Sequence, residues 1–360
     1  MKIVQLSYSL SSGGAERFVV DLSNHLSMIK DNEVILLTTD DDKITKNIHY
    51  LDELSSNVKY INLHCKGGLH PKSFFRVYKA LKNIKPDIVH AHCNLLLIYM
   101  PAFFLKRIKF VHTLHNMAEI CLKYKWCKFI NKWLYKKRIQ PITISRKCQE
   151  SFIKLYNIKK VTCITNGSKK LTPTGHMPTD ISFVDRNIPI FIHVARCATQ
   201  KNHNRLFNAF DKLFSDGVKF HLIVLGSGYE TIWMQKYRNN KQIHILGERK
   251  NVADYMAVAD FFVLSSDYEG LPLTLLEAMS LGVIPISTPA GGVIDVIRDG
   301  ENGYLTSNFD DNELYIKIKQ ALNERGKIKK ELVIKEYEDS FSMDICANKY
   351  YKEYKKIFST

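Results

Sequence analysis

Short apolar runs rich in valine and isoleucine alternate along the chain with longer stretches in which apolar residues recur every three or four positions. The short runs predict buried strands, and the longer spacing predicts amphipathic helices. In the first half the predicted strands are 2–7, 33–39, 58–64, 87–92, 109–114, 141–145 and 161–164, with helices at 15–29, 72–83, 95–105, 120–137 and 146–156. This alternation implies parallel strands joined by right-handed crossovers, and therefore a doubly wound α/β sheet.

A second alternating set follows residues 169–187, whose Pro173, Gly175 and Pro178 predict a linker. Its predicted strands are 189–195, 219–225, 243–246, 260–264, 283–287 and 303–305, with helices at 202–214, 229–239, 252–257, 273–281 and 310–323 and a charged, wholly helical stretch at 327–358. We therefore expect doubly wound domains over 1–168 and 188–338, followed by a C-terminal segment over 339–360. Since open α/β sheets bind ligands at the carboxyl ends of their strands, two such domains facing each other would form a cleft.

The excess of positive charge is confined to the first half of the chain. Residues 1–180 contain 29 basic and 13 acidic side chains, whereas residues 181–360 contain 23 of each. This asymmetry indicates that the two halves meet different partners, one of them anionic. The basic residues are densest over 106–138, where they are interspersed with Phe110, Tyr124, Trp126, Phe129, Trp133 and Tyr135.

A basic surface with interspersed aromatic side chains suits the cytoplasmic face of an anionic membrane. The alternative is a solvated basic helix, since exposed charge runs are common. Nucleic acid would use the same features, but no nucleic-acid-binding motif accompanies them, so no nucleic-acid partner is expected.

Composition argues against membrane-spanning, secreted and metal-binding classes. The longest charge-free apolar run, 95–105, falls short of the roughly 20 residues that span a bilayer. The N-terminal residues predict a strand rather than a signal peptide. The eight cysteines are scattered without a CxxC pair or metal-ligand spacing, so we expect reduced thiols, no metal site and a cytoplasmic location.

Paired glycines follow the first predicted strand, in the segment Ser11-Ser12-Gly13-Gly14-Ala15-Glu16-Arg17. A glycine turn that opens a helix lets the backbone approach a ligand, and the free N–H groups of the helix start favour phosphate. The alternative is a tight turn that only requires a positive φ.

Polar residues also follow other predicted strands. His115 comes directly after the strand 109–114, where a ligand would lie, although it could be an ordinary loop residue. Arg196 and Lys201 follow the first strand of the second domain, and a guanidinium with an ammonium can hold two phosphoryl groups. The alternative for this pair is two solvated loop charges.

The most informative segment is Glu269-Gly270-Leu271-Pro272-Leu273-Thr274-Leu275-Leu276-Glu277. Glu269 ends a strand-end loop, and Glu277 is predicted two turns into a helix whose first residue is Pro272. Ionised carboxylates accept hydrogen bonds from sugar hydroxyls. A solvated helix-face glutamate is the less favoured interpretation of Glu277, because its neighbours are apolar.

Together these motifs resemble the family 4 glycosyltransferases, retaining enzymes of the GT-B fold in which two Rossmann-like domains face each other across a cleft. The resemblance spans nearly the whole chain and keeps the order of the motifs. It implies a donor-binding set of Gly13, Gly14, Arg196, Lys201, Gly270, Leu271, Thr274, Leu275 and Glu277 and a catalytic set of His115, Arg196, Lys201 and Glu269. Ser145 and Asn166-Gly167 match further landmarks, whereas Leu271-Pro272 replaces the usual Phe-Gly.

The resemblance also implies roles. Gly13-Gly14 would lie near the donor diphosphate, Arg196 and Lys201 would bind that diphosphate, and the final helix would cross back to the first domain. Glu269 would reach the transferred sugar, Glu277 the nucleotide ribose, and His115 would lie at the sugar end of the cleft. On this division, losing Glu277 should weaken binding of a nucleoside diphosphate, and losing Glu269 should hardly change it.

The implied activity is retaining, metal-independent and cofactor-free transfer from a nucleotide sugar, a UDP-hexose or UDP-N-acetylhexosamine. The implied acceptor is a hydroxyl of a glycan on a polyprenyl-diphosphate or other lipid carrier in cell-surface polysaccharide synthesis. The implied location is the inner face of the plasma membrane, bound peripherally through 106–138. The alternatives are a nucleotide-sugar epimerase of the same fold and a non-catalytic nucleotide-sugar-binding partner.

Overall fold

The computed structural model describes residues 1–41, 48–65, 70–92, 95–122, 124–230 and 233–359. The chain divides into two compact units, the first made of Met1–Ser168 with Met343–Thr360 and the second of Lys169–Ser342. The segment 169–187, predicted as a linker, groups with the second unit and contains a short 3-10 helix at Thr179–Ile181.

The described residues of the first unit form a seven-stranded parallel sheet. Its strands are β1 (Lys2–Ser7), β2 (Glu33–Asp40), β3 (Val58–Cys65), β4 (Ile88–His92), β5 (Lys109–Leu114), β6 (Ile139–Thr143) and β7 (Thr162–Cys163). Their order across the sheet is β3-β2-β1-β4-β5-β6-β7. The order reverses between β1 and β4, and a reversal of this kind opens a crevice at the carboxyl ends of the strands.

The helices described within residues 1–168 of the first unit are α1 (Gly14–Met28), α2 (Pro71–Ile84), α3 (Tyr99–Phe104), α4 (Ala118–Cys121), α5 (Cys127–Lys137) and α6 (Arg146–Tyr156). The prediction of one helix over 95–105 is wrong, because Leu95–Ile98 is a 3-10 turn. Proline lacks an N–H and is tolerated only in the first turn of a helix, so a helix that contains Pro101 begins at Tyr99.

The prediction of one helix over 120–137 is also wrong, since α4 and α5 are separate. The hydroxyl of Ser151 on α6 accepts a hydrogen bond from the amide of Ala118 at 2.7 Å, which fixes α4 against α6. The α5 helix instead packs against β6. The two segments therefore have different packing partners, which periodicity alone does not show.

The described residues of the second unit form a six-stranded parallel sheet. Its strands are β8 (Ile190–Val194), β9 (His221–Leu225), β10 (Ile243–Gly247), β11 (Phe261–Leu264), β12 (Ile284–Ser287) and β13 (Tyr304–Leu305), in the order β10-β9-β8-β11-β12-β13. The reversal lies between β8 and β11. Both units thus have the doubly wound α/β fold that the sequence predicts.

The helices of the second unit are α7 (His203–Ser215), α8 (Trp233–Lys236), α9 (Val252–Ala257), α10 (Leu273–Ser280), α11 (Asp311–Asn323) and α12 (Lys330–Ser340). Of the predicted helix 229–239, positions 231 and 232 lie outside the described residues. The core is aromatic around Phe191, whose ring centroid lies 5.1 Å from those of Phe210 and Phe261.

The chain ends in α13 (Met343–Phe358), which returns to the first unit and packs on α1. The prediction of continuous helix over 327–358 is wrong, because Phe341 and Ser342 separate α12 from α13. The amide of Met343 donates to the carbonyl of Ser168 at 2.9 Å rather than continuing α12. The break coincides with the passage of the chain from the second unit to the first.

Candidate functional site

The loops after β8 and β11 meet at the reversal point of the second sheet. The Nζ atom of Lys201 lies 2.6 Å from Oε1 of Glu269. The hydroxyl of Ser266 donates to the same oxygen at 2.7 Å, and Nε2 of Gln200 donates to Oε2 at 3.3 Å. Glu269 is 6% exposed, so its carboxylate is held by three donors while nearly removed from water. Sequence reasoning had treated Lys201 and Glu269 as independent groups.

Arg196 lies on the first of these loops and is exposed. The loop is fixed by its main chain, because the amide of Cys197 donates to the carbonyl of Ser227 at 2.8 Å. A Cβ atom on Gly226 would lie 1.9 Å from the carbonyl oxygen of Ala195, and Gly226 has φ +137°. Only glycine allows this approach. Sequence reasoning missed Gly226, although a glycine directly after a strand was a usable signal.

A second glycine supports the Glu269 loop. A Cβ atom on Gly291, which has φ +55°, would lie 1.7 Å from the carbonyl oxygen of Glu269. The amide of Gly292 donates to the carbonyl of Gly270 at 2.9 Å. The segment 289–292 therefore holds the main chain on which Glu269 lies.

Two buried histidines lie behind the Arg196 loop. His193 bonds through Nδ1 to the carbonyl of Val263 at 2.8 Å, and its Nε2 lies 3.3 Å from Nε2 of His203. The hydroxyl of Tyr229 lies 2.6 Å from His203 Nε2 and donates to the carbonyl of Ala195 at 3.0 Å. Burial lowers the pKa of His193 to about 3 and that of His203 to about 4. Both imidazoles are therefore neutral links between β8, α7 and the loop, and sequence reasoning missed them.

The α10 helix begins beside Glu269. Pro272 is the N-cap, with φ −71° and ψ 126°, rather than the first helical residue, and no side chain caps the helix. Glu277 is the fifth residue of α10, so it lies about one turn into the helix rather than the predicted two. Gly270, Leu271, Leu273 and Leu275 are buried, whereas Thr274 and Glu277 are partly exposed. The first N–H groups of α10 have no intrahelical acceptor and can meet an anion.

The glycine pair of the first unit also lies at a helix start. Gly13 is the N-cap of α1 with φ −153°, which is extended backbone, and the amide of Arg17 donates to its carbonyl at 3.0 Å. The tight-turn alternative, which required a positive φ, is therefore wrong for Gly13. A Cβ atom on Gly13 would lie 2.3 Å from Oε2 of Glu16, and one on Gly14 would meet nothing within 4 Å.

His115 directly follows β5 and is partly exposed. Its Nε2 atom lies 3.0 Å from Nδ1 of His92, which is buried at the end of β4. Burial lowers the pKa of His115 to about 4. Ser145 is the N-cap of α6, where its hydroxyl accepts from the amide of Cys148 at 3.2 Å.

Comparison with known proteins identifies the family. Residues 12–168 match the family model "Glycosyltransferase Family 4", and residues 180–339 match "Glycosyl transferases group 1". The chain belongs to the family 4 glycosyltransferases. The predicted family is thus confirmed, and the match of both models places one family domain in each unit.

Two relatives of this glycosyltransferase are named for the transfer that they catalyse. The Escherichia coli UDP-Gal:alpha-D-GlcNAc-diphosphoundecaprenol alpha-1,3-galactosyltransferase is 29% identical over 65% of this chain and 66% of its own length. A Campylobacter jejuni alpha-1,4-N-acetyl-D-galactosaminyltransferase, named for a PP-undecaprenol-linked GalNAc glycan, is 26% identical over 92% of both chains. A Rickettsia africae glycosyltransferase structure superimposes with a TM-score of 0.81 at 19% identity, over 99% of this chain and 98% of that one.

The glycosyltransferase also carries an exposed aromatic stripe on α5. Trp126, Phe129 and Trp133 are 58%, 79% and 46% exposed, although the opposite face of the helix is buried. Phe103 of α3 stacks on Trp133 with ring centroids 5.0 Å apart. Within the part of the chain that the structure describes, no helix is long and apolar enough to cross a membrane.

The predicted basic and aromatic surface over 106–138 needs two corrections. Phe110 and Tyr135 are buried core residues and not part of any surface. Arg138 donates to the carbonyls of Ala102 and Leu105, at 2.9 and 3.3 Å, so it has a structural role. Lys106, Arg107, Lys125, Lys136 and Lys137 are exposed, and position 123 lies outside the described residues.

Proposed function

We propose that this glycosyltransferase moves a hexose or N-acetylhexosamine from a UDP-sugar to a hydroxyl of a polyprenyl-diphosphate-linked glycan, in cell-surface polysaccharide synthesis. The observation that carries the proposal is the contact of Lys201 with Glu269 across the two loops at the reversal point of the second sheet, with Arg196 exposed on the same loop as Lys201. The names of the Escherichia coli and Campylobacter jejuni relatives support the acceptor, and the former supports the nucleotide.

The chemistry follows from the charges that develop when the anomeric C–O bond breaks. The leaving diphosphate becomes more negative and the sugar ring more positive. Arg196, Lys201 and the free N–H groups of α10 stabilise the diphosphate, so the proposed reaction needs no metal. Glu269 binds the sugar, Glu277 binds the ribose, and His115 accepts a hydrogen bond from a sugar hydroxyl. The acceptor hydroxyl attacks the face from which the phosphate leaves, a phosphate oxygen takes its proton, and configuration is retained.

A panel of nucleotide sugars, with a short polyprenyl-diphosphate glycan as acceptor, tests the proposal. We expect transfer from one UDP-sugar, an α-linked product by NMR, and an unchanged rate in EDTA. An epimerised nucleotide sugar, or binding without turnover, would support one of the two alternatives. A β-linked product, or loss of activity in EDTA that added Mg²⁺ or Mn²⁺ restores, would contradict retention or metal independence respectively.

We also propose that the glycosyltransferase binds the anionic inner face of the plasma membrane peripherally through 106–138. The support is the exposed stripe of Trp126, Phe129 and Trp133 beside exposed lysines. Exposed aromatic stripes of this kind are uncommon on surfaces that face only water. Aromatic rings favour the membrane interface, and each nearby lysine adds about 1 kcal/mol on anionic lipid.

Sedimentation with vesicles tests this surface. Binding should require acidic headgroups and weaken as salt rises, since the Debye length is only about 8 Å at 0.15 M. Exchanging Lys132, Lys136 and Lys137 for Glu should release the protein and leave turnover of a short, soluble acceptor nearly unchanged. The control exchanges Lys329, Lys330 and Lys335 of the second unit for Glu, an equal change in charge that should not release it. Equal pelleting of both variants would refute the docking surface.

A further inference from the structure

A continuous chain of buried hydrogen bonds connects α13 to His115 within the first unit. Nε2 of His92 lies 2.7 Å from Oε1 of Gln5, and Nδ1 of His92 lies 3.0 Å from Nε2 of His115. On its other side, Nε2 of Gln5 donates to the hydroxyl of Tyr354 at 3.2 Å. Gln5, His92 and Tyr354 are 0%, 2% and 0% exposed, so water cannot replace these partners.

The chain continues beyond Tyr354. The hydroxyl of Tyr354 lies 2.5 Å from Nδ1 of His90, and Nε2 of His90 lies 2.7 Å from Oγ1 of Thr113. Oγ1 of Thr113 is in turn 3.1 Å from the hydroxyl of Tyr350. Tyr354 therefore has two partners, and it accepts from the Gln5 amide when it donates to His90.

The orientation of the Gln5 carboxamide determines every proton along this chain. A carboxamide oxygen only accepts, so Nε2 of His92 carries a hydrogen. A neutral imidazole has one N–H, so Nδ1 of His92 accepts and Nε2 of His115 donates to it. The same reasoning leaves Nδ1 of His115 with a lone pair. Turning the carboxamide over would reverse every bond and place a hydrogen on that atom instead.

We infer that Gln5 and Tyr354 are positioning residues that hold His115 as its Nε2–H tautomer, so that Nδ1 is the ring nitrogen that accepts a hydrogen bond from a sugar hydroxyl. The inference rests on the proposed function, which supplies the sugar hydroxyl that donates to His115. Tyr354 acts through Gln5, and Gln5 acts through His92. The final helix thus sets the hydrogen-bonding character of a residue at the end of β5.

The electrostatics of the cluster agree with neutral rings. Burial, followed by the repulsion of the neighbouring histidines, holds the pKa of His90 and His92 well below the ordinary value. Burial lowers the pKa of His115 to about 4. At neutral pH each of these imidazoles therefore has a single N–H. Its hydrogen lies on either Nδ1 or Nε2, so each ring has a distinct tautomer.

Nitrogen NMR of the ¹⁵N-histidine-labelled full chain tests the tautomer without any turnover assay. His115 is assigned from the resonances that are lost in His115→Asn. We expect a protonated Nε2 and an unprotonated Nδ1 in the wild type. Gln5→Glu should preserve this pattern, because a carboxylate oxygen also accepts from His92. Tyr354→Phe should give a mixture of tautomers, whereas Tyr351→Phe, the same change on the partly exposed side of α13, should not.

Kinetics provide the second readout. Tyr354→Phe should lower kcat about five- to tenfold, the effect of one weakened hydrogen bond, and leave the affinity for UDP unchanged because UDP lacks the transferred sugar. Gln5→Glu should retain more activity than Gln5→Met. A protonated Nδ1 in the wild type, or unaltered tautomers in Tyr354→Phe, would overturn the inference. Absence of transfer from every nucleotide sugar would overturn the proposed function and leave the NMR result standing.

Discussion

Neutralising Glu269 should strengthen the binding of a nucleoside diphosphate, and this expectation follows from the contact with Lys201. The Nζ–Oε1 distance is 2.6 Å, and the two side chains are 16% and 7% exposed. A hydrogen bond to a charged group of this kind contributes about 1.5–3 kcal/mol. The diphosphate has to share Lys201 with Glu269, so part of that free energy opposes binding.

The size of the effect can be worked out for each variant. Glu269→Gln keeps the shape of the side chain but removes its charge, so UDP should bind about 1 kcal/mol, or roughly fivefold, more tightly. Lys201→Met removes the cation itself and should weaken binding by about 2–3 kcal/mol, or roughly 30- to 150-fold. In Lys201→Met, a further Glu269→Gln change should matter less, because no ammonium remains to be neutralised.

Titration calorimetry measures the affinity for UDP of the wild type, Glu269→Gln, Lys201→Met and the double variant, which together form a double-mutant cycle. Denaturant unfolding of the same proteins provides the control, since Lys201→Met leaves a buried carboxylate with only Ser266 and Gln200. The Lys201→Met change should lower the free energy of unfolding by about 2–3 kcal/mol, and the double variant should recover most of that loss. Unchanged or weaker UDP binding by Glu269→Gln would refute the reasoning, and unchanged binding would restore the sequence-based expectation that this residue hardly affects the diphosphate.

Three further outcomes are expected. Glu277→Gln should weaken UDP binding about tenfold in the same calorimetric titration, through loss of a charged hydrogen bond to the ribose, and unchanged binding would contradict that role. Gly291→Ala should lower the free energy of unfolding by at least about 3 kcal/mol in denaturant, whereas Gly300→Ala, with φ +78° but nothing within 4 Å of its Cβ, should cost only about 1–2 kcal/mol. Burial holds the pKa of His90 and His92 below the pKa of histidine in the unfolded chain, so the unfolded state binds more protons as the pH is lowered below 6.5. Lowering the pH from 6.5 to 5 should therefore reduce the free energy of unfolding by about 2 kcal/mol per imidazole. A thermal midpoint independent of pH over that range would contradict the third expectation.

Local patterns were enough to predict the two sheets and the loops that carry the candidate site residues Lys201 and Glu269. The segments 2–7 and 109–114 are strands with those bounds, and every residue after the first of each is buried, as expected for a strand covered on both faces. Lys201 and Glu269 were found because polar residues after such strands meet at one edge of the sheet. That inference needs only the order of elements along the chain.

Contacts between distant residues decided what local patterns missed. The separation of α12 from α13 depends on the bond from Met343 to Ser168, and the form of the Glu269 loop depends on Gly291. The partner of His90, Tyr354, lies 264 residues further along the chain. No periodicity within a helix or strand carries information about such a pair.

The buried histidines of the second unit add no positive charge to the proposed donor site. His193 and His203 lie behind the loop that carries Arg196 and Lys201, yet burial lowers their pKa values to about 3 and 4. They join main-chain and side-chain groups without adding charge. The cations that remain to meet a diphosphate on this loop are Arg196 and Lys201. Diphosphate binding through this loop should therefore be insensitive to histidine titration, and any change in UDP affinity between pH 6 and 8 should follow the second ionisation of the nucleotide's own phosphate.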